Sequence, residues 1–491
     1  QGKAEQTGKA EQPQKVEQVE EIDLSQLKPN PISDFKWQID GNLVTIIKCK
    51  ASGTVVLPET IATFPVGKIG SLASDGNTLP RDLRDGNAIP DGVTALVIPE
   101  SLKSIGDGAF YGCKSLVTLK IPDKVTTIGK YAFHGCENLR NITFGTGLTG
   151  IGDGAFYGCK NLSNPTLPDS LVFISRRAFQ YCAGLTGINI PVAVSTIASS
   201  AFDDCPNLKS ITVSEKNPTY TSDDGVLLNK AKQTVFRCPQ GKGGSYEVPK
   251  NITNIGDSAF YRCAGLTSVT MPEGVVAIGN YAFRECSALK TAAIPETVTS
   301  MGIFAFASCE NLTGVGIPEG VRSIGSFVFH GCKRLKSVEI DDKATSIGNS
   351  AFHGCAALTG LELPAKLTSI GNGAFHGCAA LTNLTLPEKL AAIGKGAFRN
   401  CSGLKSLSIP YPVTTITDHA FAGCAGLTEV KLGIAVTSIG GYAFSGCRRL
   451  KELTIPDKVT TFGPGAFASC ESLEGVTIPA GLKHPISTSR T

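Results

Sequence analysis

The sequence predicts an α/β repeat fold, a solenoid with a parallel sheet on one face and short helical or 3₁₀ turns on the other. Three observations predict it. First, the segment Ile347-Gly348-Asn349-Ser350-Ala351-Phe352-His353-Gly354-Cys355 returns every 23 residues: Phe352 becomes Phe375, Phe398, Phe421, Phe444 and Phe467. Its Phe-x-x-Cys core occurs fifteen times between Cys113 and Cys470, with one interruption. A strict period of this length marks stacked supersecondary units, none of which can bury its apolar face alone. Second, each unit carries an alternating segment ended by proline, as in Leu358, Leu361, Leu363 and Pro364. Alternation reads as a short strand, and proline stops it because it has no N–H to give to a ladder. Third, Ala374, Phe375, Cys378 and Leu381 place apolar residues at i, i+1, i+4 and i+7. That spacing predicts a helical or 3₁₀ turn with one inward face.

Taken in order, residues 1–30 are polar and rich in Gln, Glu and Lys, and read as a flexible tether. Residues 31–92 are expected to hold an N-terminal hairpin cap and a degenerate repeat. Phe35, Trp37 and Ile39 alternate, Asp40-Gly41 turns, and Leu43 to Ile47 run apolar. Asp75, Asp82, Asp85 and Asp91 lie in an irregular stretch, 74–92, that reads as a solvated loop without calcium-binding spacing. The solenoid proper spans 93–482. Residues 214–248 interrupt it with a predicted hairpin, Gly225-Val226-Leu227-Leu228 against Thr234-Val235-Phe236-Arg237. Residues 483–491 form a short polar tail.

Composition excludes several functions. Charged residues are 18% of the chain and the formal net charge is +4, with no Lys/Arg block, so nucleic acid is not an expected partner. No run of 18 apolar residues suggests a membrane span. There are 17 cysteines, fifteen of them at one repeating apolar position, and no Cys-x-x-Cys. They read as buried, unpaired thiols, not as a disulfide frame or a zinc site. No cofactor motif is present. His330, His353 and His376 share a position in consecutive repeats, with His134 in the same register. Tyr111, Tyr157, Gln180, Ala307 and Arg399 fill that position elsewhere, so it reads as a tolerant surface column and not as a metal ladder. Asp418-His419 has no activated Ser or Cys beside it. No catalytic constellation is found.

The motif Ile-Gly-x-x-Ala-Phe-x-x-Cys-x-x-Leu-x-x-Ile-x-Ile-Pro, over about residues 93–482, resembles the BspA-like leucine-rich repeats of bacterial and protist surface proteins. The resemblance implies a right-handed leucine-rich-repeat solenoid, a secreted or cell-surface location, and an adhesive or host-interaction role without catalysis. It carries over no catalytic residue and no single ligand. The expected partner is therefore a protein or glycan, with host extracellular matrix as one such source. The tether suits a lipoprotein whose acylated cysteine preceded residue 1. The alternative function is a structural spacer of the cell envelope.

The strand face is the expected binding surface, because column residues are committed to the core. Its exposed positions are mostly Thr, Ser, Asn and Gly. The exceptions are Lys120, Arg140, Glu339, Glu362, Glu429, Lys431 and Glu452, with Tyr220 and Tyr246 of the 214–248 segment as rival contact residues.

Overall fold

Most described turns of the chain are built from three walls, and in most of them each wall bonds to its counterpart one turn away. The computed structural model describes residues 27–70 and 88–477. Residues 1–26 of the expected tether, Asp75, Asp82 and Asp85 of the loop, and the tail lie outside them.

The first wall is the predicted strand. Thr118–Lys120 pairs parallel with Asn141–Thr143, one repeat on, with Leu119 opposite Ile142. The middle residue points inward and its two neighbours outward, as the two-residue period of a strand requires. The second wall is a run of two-residue strands such as Thr127–Ile128, Gly150–Ile151 and Phe173–Ile174, also parallel and in register. Each Ile is buried. The glycine after it is fixed by close approach: a Cβ on Gly371 would lie 2.6 Å from the backbone nitrogen of Asn349 in the preceding turn.

The third wall corrects the expected helical or 3₁₀ turns. The only 3₁₀ segment described is Ile32–Asp34, outside the repeats, and the architecture is a parallel β-solenoid of about 18 turns. The reason lies in how the backbone donors are shared. The N–H groups of Gly108, Phe110 and Gly112 donate to Lys130, Ala132 and His134 of the next turn, at 2.9, 2.7 and 2.7 Å. Those of Ala109, Tyr111 and Cys113 donate back three residues. A helix would need every donor for itself. Gly108 and Gly112 also sit at φ 62° and 71°, and left-handed residues recur at both positions along the stack. Two such residues per turn break any helical run.

These walls enclose columns of identical side chains. Phe rings stack nearly parallel at 4.7 Å (Phe110 on Phe133) to 5.8 Å (Phe444 on Phe467). The cysteine column has its own bonding logic. Cys136 Sγ–H donates to the Phe110 carbonyl of the preceding turn at 3.0 Å, and the same contact recurs down to Cys470 and Phe444 at 3.2 Å. The Phe carbonyl also accepts the N–H of the cysteine in its own turn, Cys113 to Phe110 at 3.2 Å. A small apolar residue with one weak donor fits this slot. All seventeen thiols are free. Burial pushes Cys470 up to about 11 and Cys332 and Cys378 up to about 12, so these thiols stay protonated at neutral pH.

At the N-terminal end, Phe35–Asp40 and Leu43–Cys49 form an antiparallel hairpin, and the latter pairs parallel with Phe64–Ile69 to start the second wall.

The 214–248 segment divides the core in two. One apolar cluster runs from Phe35 to Leu227, the other from Val226 to Phe467. Strand Val226–Asn229, antiparallel to Tyr220–Asp223, supplies both. Val226 and Leu228 point into the C-terminal cluster and Leu227 into the N-terminal one, all fully buried. Successive side chains of a strand face opposite ways, so one strand serves as a septum. Several of the polar groups around it are satisfied. The Tyr220 hydroxyl accepts from Ile197 N–H at 3.2 Å, and buried Asn217 donates to Pro191 and Val194 carbonyls at 2.7 and 2.9 Å. Arg237 pairs with Asp203, and Arg262 with Asp204, across the seam.

Candidate interaction surfaces

The strand wall displays its charges as expected from the alternation. Lys120, Arg140, Glu339, Glu362, Glu429, Lys431 and Glu452 are all exposed. The pairing of Ser337–Ile340 with Gly360–Leu361 brings Glu339 beside Glu362. Glu429 is directly opposite Glu452, on strands about 4.7–4.9 Å apart along the stack. Lys431 pairs with Glu429 at 3.2 Å, whereas Glu339 and Glu362 have no ion-pair partner among the described residues. Lys120 and Arg140 lie on the neighbouring turns near the other end, far in sequence from this acidic group.

Glu362 also borders a depression. The strand wall lapses between Gly360–Leu361 and Ser406–Ser408, because residues 382–387 join no ladder. Thr359, Glu362, Asn383, Thr385, Glu388 and Lys389 surround the gap. A comparable lapse at 163–168 has an evident cause in Pro165, which lacks an N–H; nothing in the residue types of 382–387 explains this one.

Tyr220 and Tyr246 do not belong to any surface. They are 7% and 3% exposed, packed into the septum and against Phe260. An aromatic residue inside a polar-looking insertion was expected outside; here it fills the boundary between two cores. Burial pushes both phenols up.

The turn wall carries a feature the sequence patterning left unassigned. The position two before each column Phe holds Gly or Ser in most turns, Arg177 in one, and an aromatic ring in others: Tyr131, Tyr281, Phe304, Phe327, His419 and Tyr442. All six adopt φ between 54° and 60°, a costly conformation for a bulky residue. The rings compensate by stacking. Tyr281, Phe304 and Phe327 are 5.3 and 4.4 Å apart, and His419 lies 5.2 Å from Tyr442. The position after each column Phe forms a second file. Arg284 lies 5.5–5.9 Å from the rings of Tyr261, Tyr281 and Phe304. His330 and His353 stack at 4.6 Å, and His353 meets His376 edge-on at 4.6 Å. The near-parallel rings of His330 and His353 bring their Nδ1 atoms to 3.1 Å, within hydrogen-bond distance of each other. Among the described residues, no cluster of three His, Cys, Asp or Glu could hold a metal ion. Burial lowers the basicity of all three histidines, and the cations beside them, Arg284 near His330 and Arg399 near His376, act in the same direction. The signal for this surface was the exchange of Gly for aromatic residues within one column.

Among the described residues no helix is long and apolar enough to cross a membrane. Comparison with known proteins agrees with the geometry. No curated protein matches the chain. A leucine-rich repeat protein from Eubacterium ventriosum is 26% identical, with 74% of this chain and 92% of that one covered and a TM-score of 0.60. A leucine-rich repeat protein from Bacteroides ovatus is 24% identical, with 88% and 99% covered and a TM-score of 0.51. The profile described as BspA type Leucine rich repeat region (6 copies) matches residues 91–209, 233–359, 302–424 and 345–474. It omits only 210–232 between those limits, which is where the septum enters. With most of the sequence matched and every matched repeat stacked in the solenoid, the chain belongs to the BspA-type leucine-rich repeat family.

Proposed function

We propose that this protein is a non-catalytic interaction protein of the cell surface or extracellular space, adhesive toward a protein or glycan partner such as extracellular matrix. Its contact zone is the strand wall from Glu339 to Glu452, including the depression beside Glu362. One observation carries this reading: the Phe, Cys and Ile columns are committed to the core, while the strand wall exposes unpaired carboxylates at successive turns. Family membership supports a role in protein interaction. Lipid anchoring remains the expectation raised by the polar N-terminal segment. The strand-wall residues singled out above include no aromatic anchor of the kind that dominates binding hot spots. That favours many weak contacts over one deep pocket, and it is the observation behind the alternative, a spacer of the cell envelope that displays other parts.

A screen of the full chain against immobilised matrix proteins and glycans tests the proposal. For a ligand found this way, Glu339→Lys with Glu362→Lys is expected to change affinity about 3–10-fold and alter its salt dependence. Stability should move by no more than about 0.5 kcal/mol, because both side chains are exposed. Unchanged affinity and salt dependence would place the contact elsewhere.

A further inference from the structure

We propose that the turn wall between Phe327 and His419 is a second binding site, a slot for an acidic polysaccharide, independent of the strand-wall reading. The slot exists because the ring column lapses. Phe304 and Phe327 stack together, then Ser350, Gly373 and Gly396 take the ring position for three turns, and the column resumes with His419 on Tyr442. Phe327 and His419 are four turns apart, about 19 Å at strand spacing. Each has one face covered by its stacking partner and the other turned toward the gap. Nothing crowds the floor: a Cβ on Gly373 would meet only Ser350 Oγ at 3.4 Å and His376 Cβ at 3.9 Å, and one on Gly396 only Arg399 Cβ at 3.8 Å. A concavity lined by Gly373, His376, Lys395, Gly396, Arg399, Asp418 and His419 occupies the His419 end of this lapse and continues past it to Tyr442 and Pro464.

The flanks supply the chemistry. On one side run His330, His353, His376 and Arg399. On the other, exposed Asn349 and Asn372 use their side-chain oxygens to accept backbone N–H groups of the next turn at 2.8 Å, leaving their amide N–H groups to a ligand. Lys395 follows in that file, paired with Asp418 at 3.1 Å. Asp418 is the carboxylate at the slot, and it is already held by Lys395 and by the Gly441 N–H at 2.9 Å. At the far end Arg284 is tied to Glu285 at 3.2 Å. Donors and cations therefore outnumber acceptors.

The geometry selects among polyanions. An extended peptide presents same-side groups every two residues, about 6.6–6.8 Å, which does not match side chains repeating at about 4.8 Å along the file from His330 to Arg399. Single-stranded nucleic acid needs a series of free ring faces for its bases, and here only the two end faces are free. A sugar chain of ring width, bearing several sulfate or carboxylate groups, fits a ring-sized slot with donors on both flanks. Because the histidines are largely neutral at pH 7, binding an anion takes up protons, and affinity must rise as pH falls.

The test uses the full chain and heparin as probe, with neutral dextran, poly-glutamate and single-stranded DNA as comparisons, at pH 7.5 and 5.5. Heparin is expected to bind about tenfold more tightly at pH 5.5. Gly373→Phe with Gly396→Phe refills the column without altering charge, in a backbone conformation Phe304 and Phe327 already adopt, and should abolish binding. Should that pair destabilise the chain, His376→Phe with Arg399→Ala should weaken heparin binding at least about tenfold and reduce its pH dependence. Lys120→Ala with Arg140→Ala on the strand wall should change nothing. Heparin bound as tightly by the slot variants as by the parent, or affinity lost instead with Lys120 and Arg140, overturns the proposal. So does poly-glutamate or DNA binding as tightly as heparin.

Discussion

Phe352→Ala is expected to lower the unfolding free energy by about 3–5 kcal/mol. Phe352 is fully buried, with Phe329 and Phe375 stacked at 5.4 and 5.3 Å on its two faces. Truncation leaves a void that neither neighbour can fill, since each ring is held by its own turn. The damage should be local in origin. Units of a solenoid contact only their neighbours, so hydrogen exchange ought to quicken first in the turns carrying Phe329, Phe352 and Phe375, and least near Phe110. Urea unfolding gives the magnitude. A loss below about 1 kcal/mol would mean the ring column does not hold the stack.

Leu227→Asp should have the largest effect of any single change in the septum. The side chain is fully buried in the N-terminal core, and the strand that carries it supplies Val226 and Leu228 to the other core. An unpaired carboxylate there must either be buried uncharged or pull the strand out, at a cost of several kcal/mol. Withdrawing the strand uncouples the two halves, so unfolding is expected to split into two transitions. Lys232→Ala, in the exposed turn of the same segment, should stay within about 0.5 kcal/mol of the parent. A single transition, unchanged in Leu227→Asp, would mean that the two cores do not depend on this strand.

The stacked architecture was legible because it rests on a period. Phe352 to Phe467 recur without slippage, and strand alternation in segments such as Leu361 and Leu363 survives into the structure. The third wall was misread because Ala374, Phe375, Cys378 and Leu381 have helical spacing, which reports which residues face inward but not where the backbone donors go. The contrary signal was the recurring glycine two residues after Phe, as at Gly354 and Gly377, whose φ values of 74° and 77° no helix uses. The placement of Tyr220 and Tyr246 depended on a contact between distant cores, which local pattern does not encode. The uninterrupted run Val226-Leu227-Leu228 did carry the warning, since a strand apolar on both faces is buried on both. On the candidate surfaces, exposure of Glu339, Glu362 and Glu452 followed from alternation. The depression beside Glu362 and the slot at Gly373 arise from lapses in a ladder and in a ring column, visible only once the turns are stacked.

The most direct test of the columnar core is a count of alkylated cysteines by intact mass, without reductant, in native and in denatured protein. The thiols are free and the column is buried, with Cys470, only partly buried, as its most accessible member. Native protein at pH 8 should therefore take up no label, or label at Cys470 alone, over a time in which a free thiol reacts fully. Denatured protein should take up seventeen labels. Fewer than seventeen after denaturation would reveal disulfides, and rapid native labelling of Cys355 or Cys378 would show that the column is not inside; either result contradicts the account.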